Sequence, residues 1–133
     1  MDYVYNSIST QLTQLKVGDK EYELISRYVK SAGNHKFKTL KIFKVERKGE
    51  GERYASFNKL DNRRLLFHGT SMSNVLGILA QGLRIAPQEA PATGYMFGKG
   101  VYLADTFAKS AAYTQGHDTQ LMFLCEAALG NML

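Results

Sequence analysis

Arg63-Arg64-Leu65-Leu66-Phe67-His68-Gly69-Thr70 sets a His-Gly pair at the end of a short apolar run, and this stretch decides how the chain downstream is read. Arg64 to His68 predicts a β-strand. Ser71 or Ser73 can then cap a helix whose Val75, Ile78 and Leu79 share a face until Gly82 ends it. Strand and helix thus bracket His68-Gly69. Beyond them run Gly82-Leu83-Arg84-Ile85-Ala86-Pro87, Gln88-Glu89-Ala90-Pro91, Gly94-Tyr95-Met96-Phe97-Gly98-Lys99-Gly100 and Val101-Tyr102-Leu103-Ala104-Asp105. Ile85 to Gly94 holds both prolines and no periodicity, so it predicts a loop of the kind that usually carries function. Val101 to Ala104 predicts a strand and Asp105 an N-cap. Thr106 to Tyr113 then predicts a helix with Ala108, Ala111 and Ala112 packed inward.

These elements gather groups suited to a nucleotide. His68 at a strand end can emerge from the sheet, and Gly69 lets a ligand approach the backbone. Taken alone, such a histidine is more often a satisfied core residue. Tyr102 and Tyr113 lie eleven residues apart on consecutive elements and could sandwich a flat ring, although tyrosines in strands more often simply pack. Ser110, three residues before Tyr113, offers a hydroxyl to an amide. Gly94 to Gly100 is not a P-loop, because three residues separate its first two glycines and Gly100 stands where a Ser or Thr would hold magnesium. Leu103 likewise occupies the place of the third glycine of a Rossmann fingerprint. His35 and His117 have no spaced carboxylates or cysteines nearby, so no metal site is expected.

Upstream, residues 9 to 17 alternate Thr13, Leu15 and Val17 into a strand, with helix as the alternative on Ile8, Leu12 and Leu15. Glu21 to Ser31 predicts a helix with Tyr22, Ile25 and Val29 on one stripe, stopped by Gly33-Asn34. Leu40 to Glu46 carries apolar residues on both faces, as in a strand covered on two sides, and Lys48 to Glu52 predicts a turn. Gln120 to Leu129 predicts a last strand. The 133 residues suffice for one domain, and 44% apolar residues exclude wholesale disorder. The lone Cys125 has no thiol partner, which predicts a reducing, intracellular setting. No stretch approaches a membrane span or a secretory signal, so a soluble protein without membrane attachment is expected. The net charge of +5 reads as solvated strand faces, with nucleic-acid binding as an alternative that predicts affinity falling steeply with salt.

The runs quoted above, Gly82 to Pro87 and Gly94 to Gly100 above all, closely resemble the catalytic domain of the poly(ADP-ribose) polymerases over nearly the whole chain. The wording of Glu89-Ala90-Pro91 and of Tyr95 to Gly100 is most similar to the DNA-break-activated nuclear branch. The resemblance implies an α+β, ADP-ribosyltransferase-like fold of mixed, mainly antiparallel strands with flanking helices, incomplete at its C-terminus. Residues 1–19 would then lead in from a preceding regulatory helical domain and form the first strand, and 20–133 would be the N-terminal part of the catalytic domain. The substrate implied is NAD, as ADP-ribose donor, with no metal. His68 would hold a ribose hydroxyl, the Gly69 backbone and Ser110 the nicotinamide carboxamide, and Tyr113 would stack on its ring with Tyr102 opposite. Thr70 stands where the family commonly has serine. Asn74 and Arg84 resemble adenosine-side contacts, and Lys109 matches a lysine near the reaction centre.

The activity implied is an NAD-dependent, poly(ADP-ribose)-forming glycosyltransferase that modifies acceptor proteins, itself included, in the nucleus during DNA repair. DNA would be met only through domains outside this sequence. His68 and Tyr102 represent two members of the family's catalytic His-Tyr-Glu set. Its glutamate lies on a later strand that residues 1–133 do not contain, so a truncated domain with an unpaired sheet edge is expected. Glu126 matches a structural strand, and Glu89 lies near the rim of the nucleotide site. The alternative is a noncatalytic module that binds NAD or ADP-ribose.

Overall fold

The computed structural model describes residues 8–86, 89, 96–114 and 118–131. It is an α+β arrangement. The elements are β1 (Thr10–Leu15), α1 (Lys20–Ser31), β2 (Ile42–Arg47), α2 (Glu50–Ala55), β3 (Arg63–Gly69), α3 (Met72–Gln81), α4 (Phe107–Ala111) and β4 (Met122–Ala128). Among the described residues the strands form two antiparallel pairs, β1 with β2 and β3 with β4. In the first, Thr10 faces Arg47 and Leu15 faces Ile42. In the second, Arg63 faces Ala128, His68 faces Phe123 and Gly69 faces Met122.

Phe67 is the hub. It is almost fully buried, with Leu66, Val29 and Val75 as the other buried apolar side chains. Its ring stacks on Tyr28 of α1 at 5.4 Å and 16°, and meets Phe107 of α4 edge to face at 5.5 Å and 79°. Hydrogen bonds join the same elements: the Tyr28 hydroxyl donates to the Leu65 carbonyl, tying α1 to β3, and Phe107 N donates to Ala32 O at 2.8 Å, tying α4 to the end of α1. One aromatic cluster therefore fixes α1 and α4 against β3, and aromatic pairs of this geometry add to the burial of their area.

Five expectations are corrected. Val101 to Ala104 is not a strand, because only Ala104 bridges to Phe67, through reciprocal bonds of 2.8 and 2.9 Å. The Tyr102 carbonyl instead faces the His68 ring. The helix expected from Thr106 to Tyr113 is the shorter α4, and its N-cap is Thr106, not Asp105. Ala108 and Ala112 are exposed, while Ser110 and Thr114 are buried, so the packed face carries Phe107, Ser110, Ala111 and Thr114 at helical spacing. The strand β2 is not covered on two sides within the described residues, for Phe43 and Val45 are exposed and Leu40 just before it is 65% exposed. Lys48-Gly49 does turn, with Gly49 at φ +77°, but the chain then enters α2, whose first turn holds Glu50 and Glu52 where carboxylates favour a helix N-terminus. Most of the Ile85 to Gly94 loop lies outside the described residues. No helix of the described residues is long and apolar enough to cross a membrane.

Two measurements test this packing. Phe67→Ala should cost about 3–5 kcal/mol in equilibrium unfolding, the usual loss for a buried phenylalanine. Burial pushes the Cys125 thiol above its ordinary value of 9.0, while the Arg47 guanidinium pulls weakly the other way. The folded chain thus keeps this proton after the unfolded chain has lost it. Its contribution is complete below pH 9.0 and falls as pH rises toward the folded-state value. Cys125→Ala should flatten the decline of stability measured above pH 9.0.

Candidate functional site

Three segments converge on the end of β3, which makes it the candidate site. The 102–104 segment runs along one edge, β4 pairs on the other, and α4 crosses above Gly69. A Cβ on Gly69 would overlap the Ser110 carbonyl oxygen and lie 3.2 Å from Thr114 Cγ2. The glycine was expected to admit a ligand. Its missing side chain also admits α4, so the helix sits closer to the strand than any other residue would allow. The Ser110 hydroxyl donates to Phe67 O at 3.0 Å, tying the helix to the strand a second time.

His68 is half-buried, and its Nδ1 lies 2.9 Å from the carbonyl oxygen of Tyr102. A carbonyl only accepts, so Nδ1 carries the proton and Nε2 of the neutral ring is an acceptor. That tautomer suits a hydroxyl-bearing ligand. Tyr102 closes the neighbouring glycine-rich segment: its phenol donates to Gly98 O at 2.6 Å and accepts from Phe97 N at 3.1 Å. Tyr102 as a whole remains 38% exposed, and Tyr113, just past α4, is 59% exposed.

Thr70 and Asn74 belong together at the start of α3, where Asn74 Nδ2 donates to Thr70 Oγ1 at 3.0 Å. Arg84 is exposed two residues beyond the helix-ending Gly82. The structure thus divides the expected residues into two groups. His68, Gly69, Tyr102 and Ser110 are linked around the end of β3, with Tyr113 following α4. Thr70, Asn74 and Arg84 border α3.

Glu126 does not join either group. It faces Leu65 in the β-pair, and its carboxylate accepts from Arg63 Nη1 at 3.2 Å and Tyr54 Oη at 3.5 Å. Burial first, and then the nearby Glu126 charge, push the Tyr54 phenol up from its ordinary value. Glu89 and Lys109 are exposed. A cavity of about 430 Å³ opens elsewhere, between residues 33–37 and residues 107, 108, 111 and 112, and none of the expected site residues lines it. Sequence reading missed Thr114, which is buried against Gly69 and whose hydroxyl lies 2.7 Å from Ala111 O and 2.5 Å from Gln120 Oε1. Its spacing of four from Ser110 was the available signal.

Residues 19–133 match the family described as "Poly(ADP-ribose) polymerase catalytic domain". The chain is 51% identical over 141 residues to "Poly [ADP-ribose] polymerase" of Drosophila melanogaster, covering 100% of this chain and 14% of that protein. It is 49% identical over 140 residues to "Poly [ADP-ribose] polymerase 1" of Danio rerio, covering 99% and 14%. It is 48% identical over 136 residues to "Poly [ADP-ribose] polymerase 2-A" of Oryza sativa subsp. japonica, covering 96% and 21%. The chain thus spans between 14% and 21% of the length of these relatives.

Gly69→Ala tests the close approach. Forcing a methyl against backbone should cost at least about 1–3 kcal/mol. The measurement is chemical denaturation, and an unchanged midpoint would contradict the described packing.

Proposed function

Because the chain belongs to the poly(ADP-ribose) polymerase family, we propose that it forms the donor-binding part of an NAD-dependent ADP-ribosyltransferase. The reaction cleaves the bond between nicotinamide and ribose and transfers ADP-ribose to protein acceptors, the enzyme itself included, and to a growing poly(ADP-ribose) chain. The observation that carries this reading is the bond from His68 Nδ1 to the Tyr102 carbonyl, which leaves Nε2 to accept a ribose hydroxyl.

The remaining roles follow from the same chemistry. The Ser110 hydroxyl proton is directed at Phe67 O, so its oxygen is suited to accept an N–H of the nicotinamide carboxamide beside the Gly69 backbone. Tyr113 supplies a stacking face for the pyridine ring and Tyr102 the opposite one. Thr70, Asn74 and Arg84 take the adenosine side. Nicotinamide leaves as a neutral group while positive charge grows on the ribose, an oxocarbenium-like state that a carboxylate stabilises. Glu126 is a poor candidate for that carboxylate, because Arg63 and Tyr54 hold it beside the start of β3. The wording of residues 95–100 supports a further proposal: the full-length protein is nuclear and responds to damaged DNA.

Calorimetric titration with benzamide, an aryl carboxamide that mimics the nicotinamide end, tests the reading directly. The unchanged protein should bind it. Ser110→Ala should lose about 0.5–1.5 kcal/mol, or roughly 2- to 12-fold in affinity. Tyr113→Ala should lose a similar amount from stacking. Unchanged affinity in both variants would sink the assignment. Nicotinamide release from NAD by the full-length protein separates the enzyme from a noncatalytic NAD binder, which would bind without turnover.

A further inference from the structure

The C-terminal end of α3 is held by an unusual concentration of donors from the distant β1–β2 pair. Arg47, the last residue of β2, donates from Nε to Leu79 O at 2.8 Å and from Nη2 to Ile78 O at 2.7 Å. Thr10, which faces Arg47 across the strand pair, donates its hydroxyl to the same Leu79 carbonyl at 2.7 Å. Both carbonyls belong to the last turn of the helix, where backbone acceptors run short of intrahelical donors and a cation is favoured. Ile78 O also receives the amide of Gly82 at 2.7 Å.

The arrangement is close-fitting. Arg47 Nη1 pairs with Glu50 of α2, and the Arg47 side chain is only 10% exposed. Gly82 adopts φ +80°, and a Cβ there would lie 3.2 Å from Arg47 Nη1. The chain leaving α3 therefore turns directly over the guanidinium. Burial and the neighbouring Arg53 charge both push the Arg47 pKa down, yet an arginine remains a cation at any physiological pH.

The placement of the proposed nucleotide contacts gives this clamp a consequence. Asn74 lies in the first turn of α3 and Arg84 two residues past Gly82, so both depend on where the helix and its exit are fixed. The nicotinamide-side groups instead depend on β3 and α4, which Arg47 and Thr10 do not bond. We propose that Arg47, assisted by Thr10, is a positioning residue that sets the adenosine-side half of the donor site independently of the nicotinamide half. This rests on the reading of the site given above. Removing the guanidinium would leave Ile78 and Leu79 without their charged donor and Glu50 without its partner, letting α3 and its exit shift. The aromatic cluster around Phe67 would hold the other half in place.

The test compares two probes on the 133-residue protein. ADP-ribose reports the adenosine side together with the ribose, and benzamide reports the nicotinamide side alone. Arg47→Met should weaken ADP-ribose by roughly fivefold or more, the scale of coupling through a packed element. Benzamide should stay within about twofold, since its contacts are unaltered. Arg47→Lys, which can reach one carbonyl but not both in fork geometry, should fall between the two. Thr10→Val removes one neutral bond without exposing a charge, and should weaken ADP-ribose less but in the same direction. Equal weakening of both probes, or none of ADP-ribose in either the Arg47→Met or the Thr10→Val protein, would overturn the proposal. Failure of the unchanged protein to bind benzamide would instead overturn the reading of the site, and the proposal with it.

Discussion

The contact between the backbone of α4 and Gly69 is the constraint on which the rest of the site depends. A side chain at residue 69 cannot coexist with the Ser110 carbonyl. With glycine there, the helix descends onto the end of β3, the Ser110 hydroxyl reaches Phe67 O, and Thr114 is buried against the strand. The same descent seats Phe107 on Phe67, which α1 covers from another direction through Tyr28. One missing methyl thus links the core to the chemistry. The hydroxyl, ring and main-chain groups proposed to grip a carboxamide are set by the same packing that buries Phe67.

A second constraint acts at the C-terminal end of α3 and is polar. The last turn of α3 leaves carbonyls that need donors, and Arg47 and Thr10 supply them from a strand pair that shares no ladder with β3. Each carbonyl also has a neutral donor, the Gly82 amide for Ile78 and the Thr10 hydroxyl for Leu79, so the guanidinium adds the charge-assisted bonds and the partner of Glu50. The two proposed halves of the site are therefore held by different physics. Aromatic packing fixes one and charge-assisted hydrogen bonds the other.

The parts of the fold that were legible in the sequence are those whose signal is local. Tyr22, Ile25 and Val29 mark α1 by their spacing, Gly82 ends α3, and the apolar run before His68 forms β3. The places where reading failed are those governed by distant partners. Residues 101–104 have the composition of a strand, yet Tyr102 directs its carbonyl to an imidazole and its phenol to the segment before it, leaving a single bridge. The face of α4 was assigned to its alanines because small apolar residues suggest packing. The buried face carries Ser110 and Thr114 because a glycine on another element makes room for them. The short helix α2 was hidden by its glycine and charges, which read as a turn. The site residues were named mainly through resemblance, since His68 alone looked like core, and nothing local indicated that Arg47 would cap a helix some thirty residues away.

The central claim is that a carboxamide ligand binds where α4 meets Gly69. Titrating the isotope-labelled protein with benzamide while following backbone amide resonances tests it most directly. The account predicts saturable shifts centred on His68, Gly69, Ser110 and Tyr113. Shifts confined to residues 33–37, 107, 108, 111 and 112, where the separate cavity lies, would contradict it.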